Sequence, residues 1–287
     1  MTTDRPIQLV ECPRDAMQGW KNIIPTDVKV NYLNALLQVG FDTLDCGSFV
    51  SAKAIPQMAD TASVIPQLKR NGRNTKLLVI VANVRGAQQA VQFDEIDCLG
   101  FPFSISETFQ QRNANSSIAE SLQRVEEIQS LCKAHKKTLV VYLSMGFGNP
   151  YGDAYNEDIL LHWVAQMAQL EVGVLSLADT VGVATPQSIA TALGALIPAY
   201  PAINIGVHLH SNPTHWQPKF EAALNAGCTR MDGALKGIGG CPMANDDLVG
   251  NMNTEWMINH LLQHQYPLSL NTSALQQALV LAEKVFA

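Results

Sequence analysis

Short apolar runs alternate along this chain with longer stretches in which apolar positions recur every three or four residues. Eight runs carry the strand pattern: 8–12, 43–46, 76–82, 96–101, 138–144, 174–177, 203–208 and 230–234. Between them lie amphipathic segments. The clearest spans 118–132, where Ile118, Leu122, Val125, Ile128 and Cys132 keep helical spacing and Ser117 with Glu120 supplies a capping box. Thr185-Pro186 reads as N-cap and first residue of a helix through Ile189, Leu193 and Leu196, and Thr26 after Pro25 opens another through Tyr32 and Leu36. Strand and helix alternate throughout, and eight is the number of strands that closes a barrel. No Gly-x-Gly-x-x-Gly follows the first strand and no Walker A motif is present, so the pattern predicts an α/β (β/α)8 TIM barrel above a doubly wound sheet. Residues 252–287 exceed what the last barrel helix needs, and 275–286 read as part of a C-terminal helical extension to a single catalytic domain.

Composition narrows the classes of function. At 287 residues, 47% hydrophobic and 15% charged, the chain can bury a large core. A net charge of −6 gives no electrostatic reason to expect nucleic acid or an anionic membrane as partner. The start, Met1-Thr2-Thr3-Asp4-Arg5-Pro6, has no apolar signal region, and no apolar run is long enough to span a bilayer, so a cytoplasmic protein is expected. The six cysteines Cys12, Cys46, Cys98, Cys132, Cys228 and Cys241 lack CxxC spacing and read mostly as reduced core thiols.

The chemistry concentrates at the ends of predicted strands. His208-Leu209-His210 closes the seventh, and period-two spacing points both imidazoles to one side, an arrangement suited to a divalent metal. Asn212-Pro213 reads as the stop that ends this strand and opens a helix. In a barrel, strand C-termini converge on one mouth, so the first strand brings Arg14 and Asp15 to the same place. One carboxylate and two imidazoles leave positions open for water and substrate. That set suits Mg2+ or Mn2+, with Zn2+ also compatible. Arg14, beside the ion but not bound to it, would stabilise an enolate or carboxylate. The last strand leads into Leu235-Lys236-Gly237-Ile238-Gly239-Gly240-Cys241-Pro242, a Gly-rich loop with a thiol at its tip suited to proton transfer, and Asn251 further on offers an amide oxygen as a fourth ligand.

In these residues the chain resembles the 3-hydroxy-3-methylglutaryl-CoA lyases of the DRE-TIM metallolyase superfamily. The blocks are Val10-Glu11-Cys12-Pro13-Arg14-Asp15-Ala16-Met17-Gln18, Gly47-Ser48-Phe49-Val50-Ser51 with Pro56-Gln57-Met58, Ser106-Glu107-Thr108-Phe109, Asn113-Ala114-Asn115-Ser116-Ser117-Ile118, Asp179-Thr180-Val181-Gly182-Val183-Ala184-Thr185-Pro186, and the two segments around His208 and Cys241. Their order and spacing together are specific. The resemblance implies that Asp15, His208, His210 and Asn251 hold a divalent cation, that Arg14, Asp15, His208 and Cys241 are catalytic, and that Arg14 stabilises an enolate. It implies cleavage of an acyl-CoA substrate, 3-hydroxy-3-methylglutaryl-CoA or a close 3-hydroxyacyl-CoA, to acetyl-CoA and acetoacetate. Lys21, Lys53 and Arg112 lie near the matched blocks as candidates for the CoA phosphates. A homodimer or higher homo-oligomer is compatible with the sequence but not specified by it.

Several positions depart from the family pattern. Asp45 stands where the lyases have Glu, Cys12 and Ala16 replace Gly, Ser211-Asn212 replaces Asp-Thr, and the stretch between Cys241 and Asn251 is one residue longer. These changes surround the substrate rather than the metal. Within the superfamily, a Claisen-type 2-alkylmalate synthase or an aldolase is the alternative, although such synthases usually carry a regulatory extension and lack the Gly-Gly-Cys-Pro loop. An amidohydrolase-type barrel places His-x-His on its first strand, where this chain has no histidine, and a non-catalytic barrel serving as a binding or scaffold protein is the alternative that an assay with added Mg2+ separates from an enzyme.

Overall fold

The eight predicted strands pair in parallel into one closed barrel in the computed structural model, which describes residues 6–240 and 249–287. The barrel strands are β1 (Gln8–Glu11), β2 (Thr43–Ser48), β3 (Lys76–Ile80), β4 (Cys98–Ser104), β5 (Thr138–Ser144), β6 (Val174–Ala178), β7 (Asn204–His208) and β9 (Arg230–Gly233). Two short strands outside it, β8 (His210–Ser211) and β10 (Gly250–Asn251), form an antiparallel pair at its mouth. Most boundaries fall within two residues of the apolar runs, the usual scatter at strand ends.

Alternation along the strands sorts side chains into two environments. Leu9, Leu175, Leu177, Ile205, Val207 and Met231 face outward into the main core under the helices. Leu78, Cys98, Val140 and Tyr142 form a separate small cluster that fills the barrel interior. The same interior face of β9 carries Arg230 and Asp232, both almost fully buried. A polar group in a barrel interior costs free energy unless it is paired, so these two must serve each other or the mouth above them.

Helix boundaries follow the capping signals. The helix Ile118–Ala134 begins with the full reciprocal capping box of Ser117 and Glu120, and Pro186–Ala199 begins with Thr185 capped against Ser188. The helix Thr26–Val39 follows Pro25. The Asn212-Pro213 expectation needs correction. Asn212 Oδ1 accepts the amides of Thr214 and His215, which closes a separate turn, and the helix starts only at Trp216. The C-terminal segment gives two helices, Thr254–Gln263 and Thr272–Val285, the second packed on Thr26–Val39. Phe286 meets Trp20 and Tyr32 edge to face, with ring centroids 5.3 and 6.0 Å apart. Five of the six cysteines, Cys12, Cys46, Cys98, Cys132 and Cys228, are buried free thiols. Among the described residues no helix is long and apolar enough to cross a membrane.

Candidate metal centre and active site

Strand register brings the predicted ligands together. β10 runs antiparallel to β8 with Asn251 opposite His210, and β7 lies beside β9 with His208 opposite Asp232. Asp15 arrives from the other side, in the first turn of the short helix Pro13–Gln18 that follows β1. Ligating atoms of Asp15, His208 and His210 all lie within 4.8 Å of one another, and the two imidazole centroids are 5.2 Å apart. Asn251 joins them through its Nδ2, which donates to Asp15 Oδ2 at 2.8 Å and to the Ile238 carbonyl at 2.9 Å. The histidines converge, although not as one continuous strand: β7 ends at His208, and His210 belongs to the β8–β10 pair.

Hydrogen bonding around the cluster leaves lone pairs directed at it. Nδ1 of His208 lies 3.3 Å from Asp232 Oδ2, and Nδ1 of His210 lies 3.2 Å from the Thr180 carbonyl. A carbonyl can only accept, so His210 carries its proton on Nδ1 and keeps a lone pair on Nε2. That Nε2 and Asn251 Oδ1 are both buried and have no hydrogen-bond partner among the described residues. Two orphaned acceptors beside a carboxylate and a second imidazole are costly in a metal-free protein and fit a divalent cation.

Charge states suit the same use. Burial pushes the Asp15 carboxyl up, but the cations around it, Arg14 first, outweigh that and hold it at about 2. Burial, joined by repulsion from His208, lowers His210 to about 4, so it is neutral and ligand-competent at ordinary pH. His208 moves the other way: burial disfavours its charge, but the hydrogen bond and charge of Asp232 prevail and raise it.

Arg14 is fully engaged on one side. Its Nε donates to both Asp45 oxygens at 3.2 and 3.0 Å and its Nη2 to Asp45 Oδ2 at 2.5 Å. Nη1 donates to Asp15 Oδ1 at 3.0 Å and to Gln18 Oε1 at 2.9 Å. Of five N–H donors this leaves one on Nη2 uncommitted. Asp45, shorter than the family Glu, therefore still clamps the guanidinium; burial disfavours the Arg14 charge, but Asp45 first and Asp15 second outweigh it and keep the side chain charged. Arg14 is itself buried, 7% exposed.

The Gly-rich segment after β9 closes on this cluster. A Cβ at Gly239, whose φ is +106°, would lie 2.5 Å from Asn251 Nδ2 and 3.1 Å from Asp15 Oδ2, so only glycine admits the chain here. Cys241 lies outside the described residues. Lys21, Lys53 and Arg112 are all exposed and follow strand C-termini, on the face where the cluster sits, with Arg112 stacked 4.8 Å over Tyr151.

Sequence reading passed over three supports of the site. Asp232 lies 3.3 Å from His208 Nδ1 and accepts from Arg230 on its other oxygen at 2.7 Å, and the charged Arg-x-Asp at period two within a strand was the available signal. Lys219, buried on the helix Trp216–Asn225, bonds Asp179 Oδ2 and the His210 carbonyl, each at 2.8 Å. Glu11, at the end of β1, accepts the Leu235 amide at 2.8 Å and the Thr254 hydroxyl at 2.6 Å, tying the first strand to the Gly-rich turn and the helix after Asn251. Burial raises Glu11 to about 8 against an ordinary 4.5, so the native state holds a proton that the unfolded chain has released. Its contribution is present in full below the unfolded value and is lost as pH rises through the folded one. Stability is therefore expected to fall with a slope of up to about 1.4 kcal/mol per pH unit from this residue between about pH 4.5 and 8. Urea unfolding at a series of pH values should show that slope in the parent and lose it in Glu11→Gln.

Residues 7–281 match the model of the HMGL-like family. The chain belongs to that family. It is 35% identical over 87% of its length to a zebrafish (Danio rerio) protein named cytoplasmic 3-hydroxy-3-methylglutaryl-CoA lyase, covering 74% of that protein. It is 33% identical over 90% of its length to the mitochondrial hydroxymethylglutaryl-CoA lyase of Bos taurus, covering 78% of it. A solved structure of an HMG-CoA lyase from Acinetobacter baumannii, in complex with coenzyme A and 3-methylmalate, superposes with a TM-score of 0.91 at 27% identity, over 100% of this chain and 93% of that one.

Proposed function

We propose that this chain is a divalent-metal-dependent carbon–carbon lyase that cleaves 3-hydroxy-3-methylglutaryl-CoA, or a close 3-hydroxyacyl-CoA, to acetyl-CoA and acetoacetate. One observation supports it above the rest: Asp15, His208, His210 and Asn251 converge with two buried acceptors orphaned, beside a buried arginine. These four residues would hold the ion, whose two nitrogens and two oxygens suit Mg2+ or Mn2+ and also Zn2+. Bound there, such an ion supplies Lewis-acid polarisation of a substrate hydroxyl and carbonyl oxygen.

The protein's own groups do the remaining work. Asp15 and His208 are the bases beside a hydroxyl seated on the cluster, and one of them takes its proton. The C2–C3 bond then breaks: the carbon bearing that oxygen becomes the ketone of acetoacetate, and the bonding pair leaves on acetyl-CoA as its enolate. Arg14 offsets this charge through its uncommitted Nη2 donor, held in place by Asp45 so that no reorganisation is needed as charge develops. Protonation of the enolate carbon completes acetyl-CoA, and Cys241 is the donor that family resemblance implies. Lys21, Lys53 and Arg112 are the cations offered to the CoA phosphates.

Incubation with Mn2+ and 3-hydroxy-3-methylglutaryl-CoA should release equal amounts of acetyl-CoA and acetoacetate, and excess chelator should stop it. Branched 3-hydroxyacyl-CoA analogues should be cleaved in a graded order, because the departures from the family pattern surround the acyl chain. Failure to release acetyl-CoA from every thioester with Mg2+, Mn2+ and Zn2+ in turn would overturn the reading.

A further inference from the structure

Below the candidate metal cluster, a buried chain of polar contacts runs down the barrel interior. Arg230 leaves β9 with its side chain inside the barrel, 4% exposed, and its Nη1 meets Asp232 Oδ1 at 2.7 Å. The other oxygen of Asp232 lies 3.3 Å from His208 Nδ1. Register builds this stack, since β7 and β9 pair Gly206 with Arg230 and His208 with Asp232. Gly206 matters to it: a Cβ there would lie 2.7 Å from the Arg230 carbonyl oxygen, 2.9 Å from its Cβ and 3.0 Å from its Cγ, so the neighbouring strand leaves a side chain out where the backbone and side chain of the arginine pass.

We propose that Arg230 is a positioning residue, which fixes Asp232 from within the barrel and thereby sets the ring orientation and tautomer of His208. A buried carboxylate facing one imidazole can rotate and present either oxygen. With Oδ1 committed to the guanidinium, Oδ2 is left for Nδ1, the proton of the neutral ring is held there, and Nε2 keeps the lone pair. Carrying a guanidinium into a barrel interior has a large desolvation cost, and an apolar side chain of similar volume would fill the space at less. The arrangement has a use when the histidine it orients is a ligand, and to that extent the inference rests on the metal reading above.

The test uses metal-free protein first. Long-range 1H–15N spectra, recorded at a pH where the imidazoles are neutral, report the His208 tautomer, and Mn2+ titration followed by electron paramagnetic resonance reports affinity. The parent should carry the His208 proton on Nδ1. In Arg230→Met the ring should become a tautomer mixture and Mn2+ affinity should fall about 10-fold, the lower end of what orienting partners of metal ligands contribute. Arg230→Lys should recover part of both, and Asp232→Asn should lose about 10–100-fold in affinity. Thermal unfolding of the same variants should not track the tautomer change. Parent tautomer together with parent affinity in Arg230→Met would reduce the pair to packing and sink the proposal. If Arg230→Met does not fold, Arg230→Ala, which removes the guanidinium without asking the interior to hold a longer apolar chain, must give the same tautomer shift, and an unshifted ring overturns the idea. Should the parent take no Mn2+, the metal reading fails, while the tautomer comparison still decides whether Arg230 orients the ring.

Discussion

Asp15→Ala is expected to lose metal binding and turnover together while the barrel stays folded. Asp15 is the one carboxylate among the converging donors, and Asn251 is itself held against it at 2.8 Å, so its removal deletes a ligand and releases a second. Orienting partners of metal ligands contribute about 10–100-fold in affinity, and a ligand should exceed that, so Mn2+ affinity should fall by more than about 100-fold. Lewis-acid stabilisation of transition-state charge amounts to several kcal/mol, and a loss of ~4 kcal/mol corresponds to about 10³-fold in kcat. Fold retention is expected because Arg14 keeps its bidentate pairing with Asp45, at 2.5 to 3.2 Å, when Asp15 is gone. Calorimetric Mn2+ titration with circular dichroism on the same sample checks both halves. Full Mn2+ affinity in a folded Asp15→Ala protein contradicts the ligand assignment.

The barrel was legible because each strand carries its signal in consecutive residues. Runs such as 138–144 are apolar enough to be buried on both faces, and Ser117 with Glu120 marks a helix start through contacts that stay within four residues. The cluster was legible for a related reason. Asp15 follows the end of β1, His208 ends β7 and His210 lies just beyond it, and a barrel gathers strand ends at one mouth. Reading failed where partners come from register rather than from sequence neighbours. His208 meets Asp232 because β7 lies beside β9, and the interval between them carries no sign of it. His210 looked continuous with His208, yet Asn251, forty-one positions later by its number, is what pairs with it as β8–β10. Asp45 was legible as a shorter acid, but only the side-chain geometry reveals that it still grips Arg14 through both oxygens.

Arg14→Lys is expected to separate charge stabilisation from metal binding. Lysine keeps the positive charge and loses the planar fork, so it cannot satisfy Asp45, Asp15 and Gln18 at once and still direct a donor at the substrate. Removing one preorganised donor to a developing oxyanion costs about 10²–10³-fold in kcat, and a loss in that range is expected here. The metal ligands are untouched, so Mn2+ affinity should stay within about threefold of the parent, or under ~0.7 kcal/mol. KM separates the cases further. If Arg14 acts on charge that appears only in the transition state, kcat and kcat/KM should fall together with KM nearly constant. Should Arg14→Lys instead lose Mn2+ affinity in step with turnover, the guanidinium would be holding Asp15 in place through its 3.0 Å contact, and enolate stabilisation would have to come from another donor.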